Sequence, residues 1–323
     1  IIQRLFAEMR ENGCEFCVME VSSHGLALNR LDQVIFDRAV FTNLSQDHLD
    51  FHRDMKAYFQ AKESLFTEHL NGIAILNKDD DYAKRISYEP QLTYSLENLS
   101  DLRVSSSQLS ADGSRFTISF KGKYYGFETE VLGQYNLYNL MAAIAVLLSF
   151  DYSYESIQHA VKKLKPVPGR METIVLKKSL AIVDYAHTPD ALLNVLKTSR
   201  DFCQGRLICV FGCGGDRDRM KRPKMAKAAE EIADYIFVTS DNPRTENPED
   251  IIDDIVSGFD KSTYYERYSD RKTAIFAALD FAQKDDIVVI AGKGHEPYQE
   301  INGVRHHLDD RELVREWGAA HAR

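Results

Sequence analysis

The sequence has few of the features that mark secreted and membrane proteins. None of its apolar runs approaches the roughly 20 residues that a membrane span needs. Residues 1–10 place their charges at helical spacing and do not follow a signal-peptide pattern. The 5 cysteines form no disulfide framework, which is typical of a reducing compartment. We therefore expect a cytoplasmic protein without a membrane span.

Basic charge and the common nucleotide-binding signatures are also scarce. The net charge of -9 disfavours a nucleic-acid partner, although a local basic patch could still bind a phosphorylated substrate. The glycine-rich run at 211–219 lacks the Gly-x-x-x-x-Gly-Lys-Ser/Thr pattern of a P-loop. Its glycines also do not fit the dinucleotide fingerprint. A Rossmann oxidoreductase is thus disfavoured, whereas small anionic ligands remain candidates.

The start of the chain lacks an initiator methionine and reads as a helix over 1–12 that Gly13 ends. We expect that an amino-terminal part is missing. Cys14 and Cys17 form a Cys-x-x-Cys motif, which could indicate zinc or redox chemistry. No second pair follows, and Cys17 belongs to an apolar run, so a structural role as part of a buried strand is favoured.

The first half of the chain alternates strand and helix patterns. Periodicity predicts strands at 14–20, 34–43 and 72–77 and helices at 54–66, 136–150 and 154–164. Between 91 and 131 short alternating strands with turns at Gly113 and Gly122 predict an antiparallel meander beside the parallel sheet. This pattern indicates an α/β domain with a parallel sheet and a small antiparallel sheet.

The stretch 165–169, with two prolines and a glycine, is the best candidate for a linker. We expect one domain over 1–166 and a second over 167–323. Beyond the linker, strands are predicted at 181–184, 207–211, 235–239 and 286–291, and helices at 190–202, 223–232, 248–257 and 271–282. The second domain is therefore expected to be an open, doubly wound, Rossmann-like α/β sheet.

Chemistry in such folds lies where strands end, and two strand ends in the second domain carry unusual clusters. Asp-Asn-Pro-Arg at 241–244 follows one strand, and Ala-Gly-Lys-Gly-His-Glu at 291–296 follows another. A fixed arginine at such an edge can bind a carboxylate with two parallel hydrogen bonds. Together the two segments predict an amino-acid pocket. Alone, 241–244 would read as an ordinary turn with a solvated arginine.

Three clusters in the first domain are candidates for metal or phosphate chemistry. Residues 20–26 place Glu20 at a predicted strand end, where a carboxylate often binds magnesium. The segment 43–52 contains histidines and aspartates that could form a metal site, a base or a solvated loop. On the helix 54–66, Lys62 lies one turn beyond Tyr58, and a surface lysine is the simplest interpretation.

Four sequence motifs resemble those of the Mur ligases of peptidoglycan synthesis. They lie at 20–26, 41–50, 184–189 and 211–219, and they occur in the order that this family shows. Within the family, the chain is similar to the enzymes that add the third residue of the stem peptide. The resemblance implies a P-loop-type central ATPase domain followed by an amino-acid-binding ligase domain. It implies ATP-dependent condensation of UDP-N-acetylmuramoyl-L-alanyl-D-glutamate with a diamino acid through an acyl phosphate, with Mg²⁺ as cofactor.

The same resemblance implies roles for individual residues. Glu20, His48 and Lys62 match the catalytic, magnesium-binding positions, and Lys62 matches a lysine that carries a carbamate. An anionic carbamate suits magnesium better than an ammonium does. Ser22 and Arg30 match positions that hold the UDP-sugar peptide. Leu28 departs from the pattern, because some relatives have a substrate-binding glutamine there, so one contact to the acceptor is in doubt.

The amino acid is implied by the second domain. The Asp-Asn-Pro-Arg motif is the version of relatives that use meso-2,6-diaminopimelate, whose distal carboxylate Arg244 would bind, whereas lysine-adding relatives usually replace it. The implied diaminopimelate-binding residues are Arg217, Asp241, Asn242, Pro243, Arg244, Gly292 and Glu296. The implied ATP-binding residues are Asn139, Arg170, Asp184 and His187. We expect a monomer with small-molecule substrates.

The family pattern also contains a P-loop and a UDP-binding domain that this sequence does not show. We expect the chain of 323 residues to be inactive alone, because it has no loop lysine or magnesium-binding hydroxyl. Lysine-adding ligases and sibling ligases of the folylpolyglutamate or cyanophycin synthetase type are alternatives. A non-catalytic protein that binds cell-wall precursors is another.

Overall fold

The computed structural model describes residues 2–110, 113–260 and 263–322. Its first half contains the helices α1 (Ile2–Glu11), α2 (Ser23–Ala27), α3 (Leu49–His52), α4 (Met55–Glu68), α5 (Gln134–Ser149) and α6 (Tyr154–Lys163). Its strands are β1 (Phe36–Phe41), β2 (Leu70–Asn77), β3 (Gln91–Ser95), β4 (Leu102–Ser110), β5 (Gly113–Phe120) and β6 (Lys123–Thr129). Except for the short α2 and α3 and the segment 14–20, these elements follow the predicted pattern.

The six strands form one sheet in the order β1-β2-β3-β4-β5-β6. Strands β1 to β4 pair in parallel, and β4, β5 and β6 pair antiparallel. The predicted meander therefore continues the parallel sheet and does not form a sheet of its own. Its first strand, β3, pairs in parallel with β2 and β4, so the antiparallel prediction is wrong for this strand. Periodicity indicates a strand but not the direction of its pairing. Helix α4 covers one face, where Phe59 and Phe66 pack against β1 and β2. Helices α5 and α6 cover the other face, so β1 and β2 lie between helical layers, whereas β4 is exposed from Ser105 to Ser110.

The second half contains β7 (Glu172–Val175), β8 (Leu180–Asp184), β9 (Leu207–Phe211), β10 (Tyr235–Thr239), β11 (Tyr265–Tyr268), β12 (Ile287–Ala291), β13 (Tyr298–Ile301) and β14 (Val304–His307). Its helices are α7 (Pro189–Phe202), α8 (Arg222–Ile232), α9 (Pro248–Val256), α10 (Arg271–Phe281) and α11 (Asp310–Ala320). The sequence patterns missed β7, β11, the β13–β14 hairpin and α11.

The second sheet has the order β11-β10-β9-β12-β8-β7, and only the edge pair β7–β8 is antiparallel. Residues that alternate along the central strands point to opposite faces. One set packs with α7, α8 and α9, and the other packs with α10 and α11. Helices thus cover both faces, which confirms the doubly wound prediction and brings the carboxyl ends of β8, β9, β10 and β12 to one edge.

The predicted buried strand at 14–20 is wrong. These residues form no strand, and Cys14 and Cys17 are exposed. Val18 is 97% exposed. The apolar run satisfies the composition rule for a strand, but a strand also needs a pairing partner, and no strand among the described residues pairs with this segment. Glu20 therefore follows an irregular segment and does not sit at a strand end.

The predicted linker lies between α6 and β7, and its Gly169 contacts the backbone of the loop that follows β12. Gly169 has φ +68°, and a Cβ built there would lie 2.1 Å from the backbone nitrogen of His295. Gly294 has φ +52°, and its Cβ would lie 2.6 Å from the carbonyl oxygen of Gly169. Only glycine permits this approach at such φ values. The linker backbone is therefore seated directly on the loop that follows β12.

No helix within residues 2–110, 113–260 and 263–322 combines the length and the apolar character that spanning a bilayer would require.

Candidate active site

The turn at 241–244 directly follows β10, at the edge where the parallel strands end. Asp241 and Asn242 are 8% and 4% exposed. One carboxylate oxygen of Asp241 accepts a hydrogen bond from the Asn242 backbone nitrogen at 2.6 Å. This is an Asx-type contact that shapes the turn. The other oxygen, Oδ2, faces the loop after β12, because a Cβ at Gly292 would lie 2.6 Å from it.

The loop after β12 supplies a second carboxylate and a cation that the sequence analysis missed. Asn242 donates to Oε2 of Glu296 at 2.9 Å. The fully buried Lys293 donates to Oδ1 of Asn242 at 3.0 Å and to Oε2 of Glu296 at 3.4 Å. Burying an ammonium requires such partners. Lys293 therefore holds the turn and the loop together. The only sign of this role in the sequence was that Lys293 belongs to the segment 291–296 of the predicted pocket.

Arg244 occupies the left-handed region with φ +50°. Its backbone nitrogen donates to Glu300 O at 3.0 Å, and its carbonyl oxygen accepts from the Asn302 nitrogen at 2.7 Å. These bonds to the β13–β14 hairpin hold the strained backbone in place. The guanidinium Nη1 donates to Gly215 O at 2.7 Å, and Nε lies 4.0 Å from the Glu300 carboxylate. Arg244 thus has an anionic neighbour that the sequence analysis did not foresee.

Arg217 lies on the glycine-rich run after β9, which runs beside this turn. A Cβ built on Gly214 would lie 2.9 Å from Nη1 of Arg244 and 3.8 Å from Cγ of Arg217. The two arginines therefore flank one glycine. Arg217 is exposed, and its Nη1 donates only to the neighbouring Asp216 O among the described contacts. Its other guanidinium donors are therefore available to a ligand or to solvent.

The loop 42–48 of the first half faces the same edge. The Asp47 carboxylate lies 3.8 Å from His48 Nε2, 3.7 Å from His187 Nε2 and 3.7 Å from the buried Lys221 Nζ. Burial acts to raise the pKa of Asp47, but the neighbouring His187 and the charges of Lys221 and His48 outweigh it and hold the pKa far below its usual range. Asp47 and Lys221 were not among the predicted site residues. Asp47 in the first half lies close to His187 and Lys221 in the second half, so these residues bring the two halves together.

Lys62 and His48 both lie near the Tyr58 ring. The Lys62 ammonium is 5.4 Å from the centre of the Tyr58 ring, and the His48 ring is 5.9 Å from it. Burial lowers the pKa of Lys62, although the nearby Glu20 carboxylate opposes the shift. Burial also lowers the pKa of His48, against the charge of Asp47. His48 and Lys62 thus share the surroundings of Tyr58, and Glu20 lies close enough to Lys62 for its charge to act on the ammonium.

Further histidines surround this region. The His24 ring is 4.9 Å from that of His48 and 5.4 Å from that of His52. His52 Nε2 is 2.9 Å from the Ser23 hydroxyl, so it is tied to α2. Nowhere in 2–110, 113–260 and 263–322 do three His, Cys, Asp or Glu side chains form a group that could hold a metal. A metal here would therefore need a ligand of another kind.

Comparison with known proteins identifies the family. Residues 1–147 match the Mur ligase middle domain, and residues 169–294 match the Mur ligase, glutamate ligase domain. A solved structure of a UDP-N-acetylmuramoyl-L-alanyl-D-glutamate--2,6-diaminopimelate ligase is 41% identical, with a TM-score of 0.64, and the match covers 100% of this chain and 68% of that one. The chain belongs to the Mur ligase family.

Curated relatives of this Mur ligase carry the same description. The 2,6-diaminopimelate ligases of Clostridium tetani and Gloeobacter violaceus are 45% and 48% identical. Each alignment covers 98% of this chain, and 66% and 65% of the relatives. The chain therefore spans just under two thirds of the length of these curated relatives.

The residues expected to hold the UDP-sugar peptide lie around α2 of this Mur ligase. Ser22 is the N-cap of α2, and its Oγ accepts from the Gly25 nitrogen at 3.1 Å. The hydroxyl can still donate its proton to a ligand. Arg30 is exposed, and Leu28 is 48% exposed. The assignment of these residues to substrate binding stays a prediction.

The four residues expected to bind ATP differ in their exposure and in their neighbours. Asn139 is exposed on α5, and Arg170 lies 4.5 Å above the Tyr185 ring. His187 faces Asp47, as described above. Asp184 is 4% exposed and faces inward. Its role at a phosphate remains a prediction that the structure does not favour.

The carboxylate of Asp184 accepts three hydrogen bonds from within the protein. It accepts from the Tyr135 hydroxyl and from the backbone nitrogens of Met171 and Ala186, each at 2.8 Å. Burial raises its pKa even though these hydrogen bonds favour the ionised form. Asp184 therefore ties α5, the end of the linker and the end of β8 together.

Proposed function

We propose that this Mur ligase joins meso-2,6-diaminopimelate to UDP-N-acetylmuramoyl-L-alanyl-D-glutamate at the expense of ATP, in the cytoplasm. The observation that carries the proposal is the pairing of opposite charges at one sheet edge. Arg217 and Arg244 flank Gly214, and Asp241 and Glu296 meet through Asn242 and the loop after β12.

The charge pattern suits a diamino dicarboxylic acid. The arginines can receive carboxylates through paired hydrogen bonds, and the carboxylates can receive ammonium groups. Gly292 has φ +118°, and a Cβ built there would lie 2.6 Å from Asp241 Oδ2, so any side chain at this position would collide with that carboxylate. L-lysine has no distal carboxylate, so it would leave Arg244 with Glu300 alone. We propose that this difference selects diaminopimelate.

We propose that the chain divides into an ATP-binding unit over 1–166 and an amino-acid-binding unit over 167–323. The acceptor carboxylate would take the γ-phosphoryl group where the two units meet, and the amine would then displace phosphate. Asp47 of the first unit lies close to His187 and Lys221 of the second, and the buried ammonium of Lys221 is suited to a phosphoryl oxygen. A monomer suffices for this arrangement.

The residues around Tyr58 fit a magnesium ion only if Lys62 is modified. Mg²⁺ prefers oxygen ligands, and when bound it would neutralise the phosphate and carboxylate oxygens that approach each other. Glu20 and a carbamate on Lys62 would supply oxygens, and His48 would complete the set. The lowered pKa of Lys62 favours the neutral amine, which is the form that reacts with carbon dioxide.

Carbamylation of Lys62 gives a spectroscopic prediction. Protein equilibrated with ¹³C-bicarbonate is expected to show a carbamate carbon resonance that is missing from the Lys62→Ala variant. Lys56→Ala serves as the matched control, because Lys56 is an exposed lysine of the same helix, and its loss is expected to leave the resonance unchanged. A wild-type spectrum without that resonance would contradict carbamylation.

The proposed reaction is tested by phosphate release from the protein at the length of its relatives, with ATP, Mg²⁺ and the UDP-sugar dipeptide. Release is expected with meso-diaminopimelate and not with L-lysine. Release with lysine alone would identify a lysine-adding ligase. Release with glutamate-tailed folates would indicate a folylpolyglutamate-type ligase. Binding of the precursor without release would indicate a non-catalytic binding protein.

A further inference from the structure

A carboxylate outside the pocket holds the two loops that carry the pocket arginines. Glu246 lies two residues beyond Arg244, and its side chain is 15% exposed. Its Oε1 accepts from the Asp216 backbone nitrogen at 2.6 Å and from Arg222 Nη2 at 2.8 Å. Its Oε2 accepts from Arg219 Nη2 at 2.6 Å and from Arg222 Nη1 at 3.0 Å. Both oxygens are thus engaged, and all three partner residues belong to the glycine-rich run at 211–219 or follow it closely.

The bonds of Glu246 are part of a continuous seam between the two loops. Gly215 donates its backbone hydrogen to Asn242 O at 2.9 Å. The Asp216 carboxylate accepts from Thr245 Oγ1 at 2.7 Å and from the Thr245 nitrogen at 3.2 Å. Arg244 closes the seam by donating to Gly215 O. Each loop therefore fixes the backbone of the other.

The two loops pack closely against each other along the seam. A Cβ built on Gly215 would lie 2.0 Å from Pro243 O and 3.3 Å from Cβ of Glu246. At this spacing the loops cannot slide past each other without breaking the seam. Arg217 belongs to one of the two joined loops and Arg244 belongs to the other, so the spacing of the two guanidinium groups depends on the seam.

The charges that hold Glu246 are themselves anchored. Arg222 is completely buried at the start of α8, and it also donates to Asp254 at 2.8 Å and to Gly214 O at 3.3 Å. The hydrogen bonds from Arg222 and Arg219 lower the pKa of Glu246 to about 2, against the effect of burial. Glu246 is therefore ionised at every pH at which a ligase would work.

We propose that Glu246 is a positioning residue for amino-acid selectivity, which sets the spacing of Arg217 and Arg244 through Asp216 and Arg222 without touching the substrate. The proposal rests on the proposed function, because selectivity has meaning only if diaminopimelate is the substrate. A displacement of about 1 Å in a positioning group can cost on the order of a hundredfold in rate or affinity. Loosening the seam is therefore expected to act on diaminopimelate more than on the other substrates.

The direct test is Glu246→Gln in the protein at the length of its relatives. Glutamine keeps the size but turns one acceptor oxygen into a donor that faces the Asp216 nitrogen or the arginines. The KM for meso-diaminopimelate is expected to rise on the order of tenfold to a hundredfold, and the preference over L-lysine is expected to fall. The KM values for ATP and the UDP-sugar dipeptide are expected to stay unchanged, with a smaller change in kcat.

Two further variants supply a matched control and a milder change at the same contact. Glu249→Gln removes the same charge three residues away on α9, where Glu249 is half exposed and pairs with Arg267, and it is expected to match the wild type. Arg219→Gln removes one cation from Glu246 at a side chain that is 63% exposed, so it threatens folding little. It is expected to raise the KM for diaminopimelate in the same direction by a smaller factor.

Amide hydrogen exchange in the chain of 323 residues tests the seam without any catalysis. Glu246→Gln is expected to speed exchange at the amides of Gly215 and Asp216, while strands β8 and β12 keep their protection. Glu249→Gln is expected to leave all of these amides unchanged. This measurement also reveals whether Glu246→Gln folds.

The outcomes separate the two claims. Faster exchange together with a selective rise in the KM for diaminopimelate supports the proposal. Faster exchange in an active enzyme whose KM and selectivity stay at wild-type values overturns it, as does unchanged exchange. If Glu246→Gln does not fold, an Arg219→Gln variant with wild-type selectivity overturns it. A wild type that uses neither amino acid refutes the proposed function, and the selectivity role falls with it, whereas the exchange result still decides the seam.

Discussion

The Arg271→Ala variant is expected to lose about 3–5 kcal/mol of its free energy of unfolding, as is typical when one partner of a buried ion pair is removed. Arg271 and Asp310 are both fully buried. The guanidinium donates to the two oxygens of Asp310 at 2.8 and 2.7 Å. Without it, Asp310 would remain as an uncompensated buried charge, and the start of α11 would lose its anchor on α10.

The same guanidinium also reaches the pocket edge, because it donates to Ser240 O at 3.2 Å and to Ala291 O at 3.0 Å. These carbonyls lie just after β10 and at the end of β12. We therefore expect the destabilised protein to bind the amino acid more weakly as well.

Denaturant unfolding of the chain measures the first effect. Arg267→Ala is the control, because Arg267 forms only half-exposed pairs with Glu249 and Asp253, which are worth at most about 1 kcal/mol. The double variant Arg271→Met, Asp310→Leu is expected to recover much of the loss, since an apolar pair leaves no charge behind. An Arg271→Ala variant as stable as Arg267→Ala would show that water or a neighbouring group compensates Asp310.

Arg244→Ala is expected to lower kcat/KM for meso-diaminopimelate on the order of 10²- to 10³-fold, which corresponds to a few kcal/mol of lost charged hydrogen bonding. Any ligation of L-lysine is expected to change far less, because lysine offers Arg244 no carboxylate. The backbone does not confuse the result, since arginine and alanine carry the same Cβ at φ +50°.

Glu300 limits the size of this discrimination. It lies 4.0 Å from Nε of Arg244, so Arg244 would not be left without an anion when lysine is present. Glu300→Gln is therefore expected to sharpen the preference for diaminopimelate. Arg115→Ala is the control, because Arg115 lies in the first sheet and pairs with the half-exposed Glu128. Equal losses of both substrates in Arg244→Ala would contradict its role in selecting the amino acid.

The sequence predicted the elements whose signals are local. The second sheet was recovered because its central strands are continuous apolar runs and its helices have clear caps, such as Thr188 before α7 and Asn247 before α9. The β13–β14 hairpin was missed because its strands are short, and β14 is exposed throughout. The segment 14–20 failed for the opposite reason, since its apolar pattern is clear but its pairing depends on partners that periodicity does not report.

The pocket was predictable to the extent that its chemistry lies in contiguous motifs. Asp241, Asn242 and Glu296 do lie together. Lys221, Glu246 and Glu300 are brought to the site by tertiary structure, and nothing in their local sequence distinguishes them from surface charges. Asp184 shows the converse, because its motif indicates chemistry whereas its three hydrogen-bond donors show a tie between elements.

The contact between Gly169 and Gly294 has a practical consequence for dissecting this protein. A shortened protein that begins at residue 165 would keep Gly169 on the backbone of the pocket loop and Met171 on Asp184. One that begins at residue 172 would uncover that backbone and deprive the buried Asp184 of a donor, although it would retain every strand and helix of the second sheet. The stretch from 165 to 171, which resembles a simple linker in the sequence, is thus part of the packed structure of the unit that follows it.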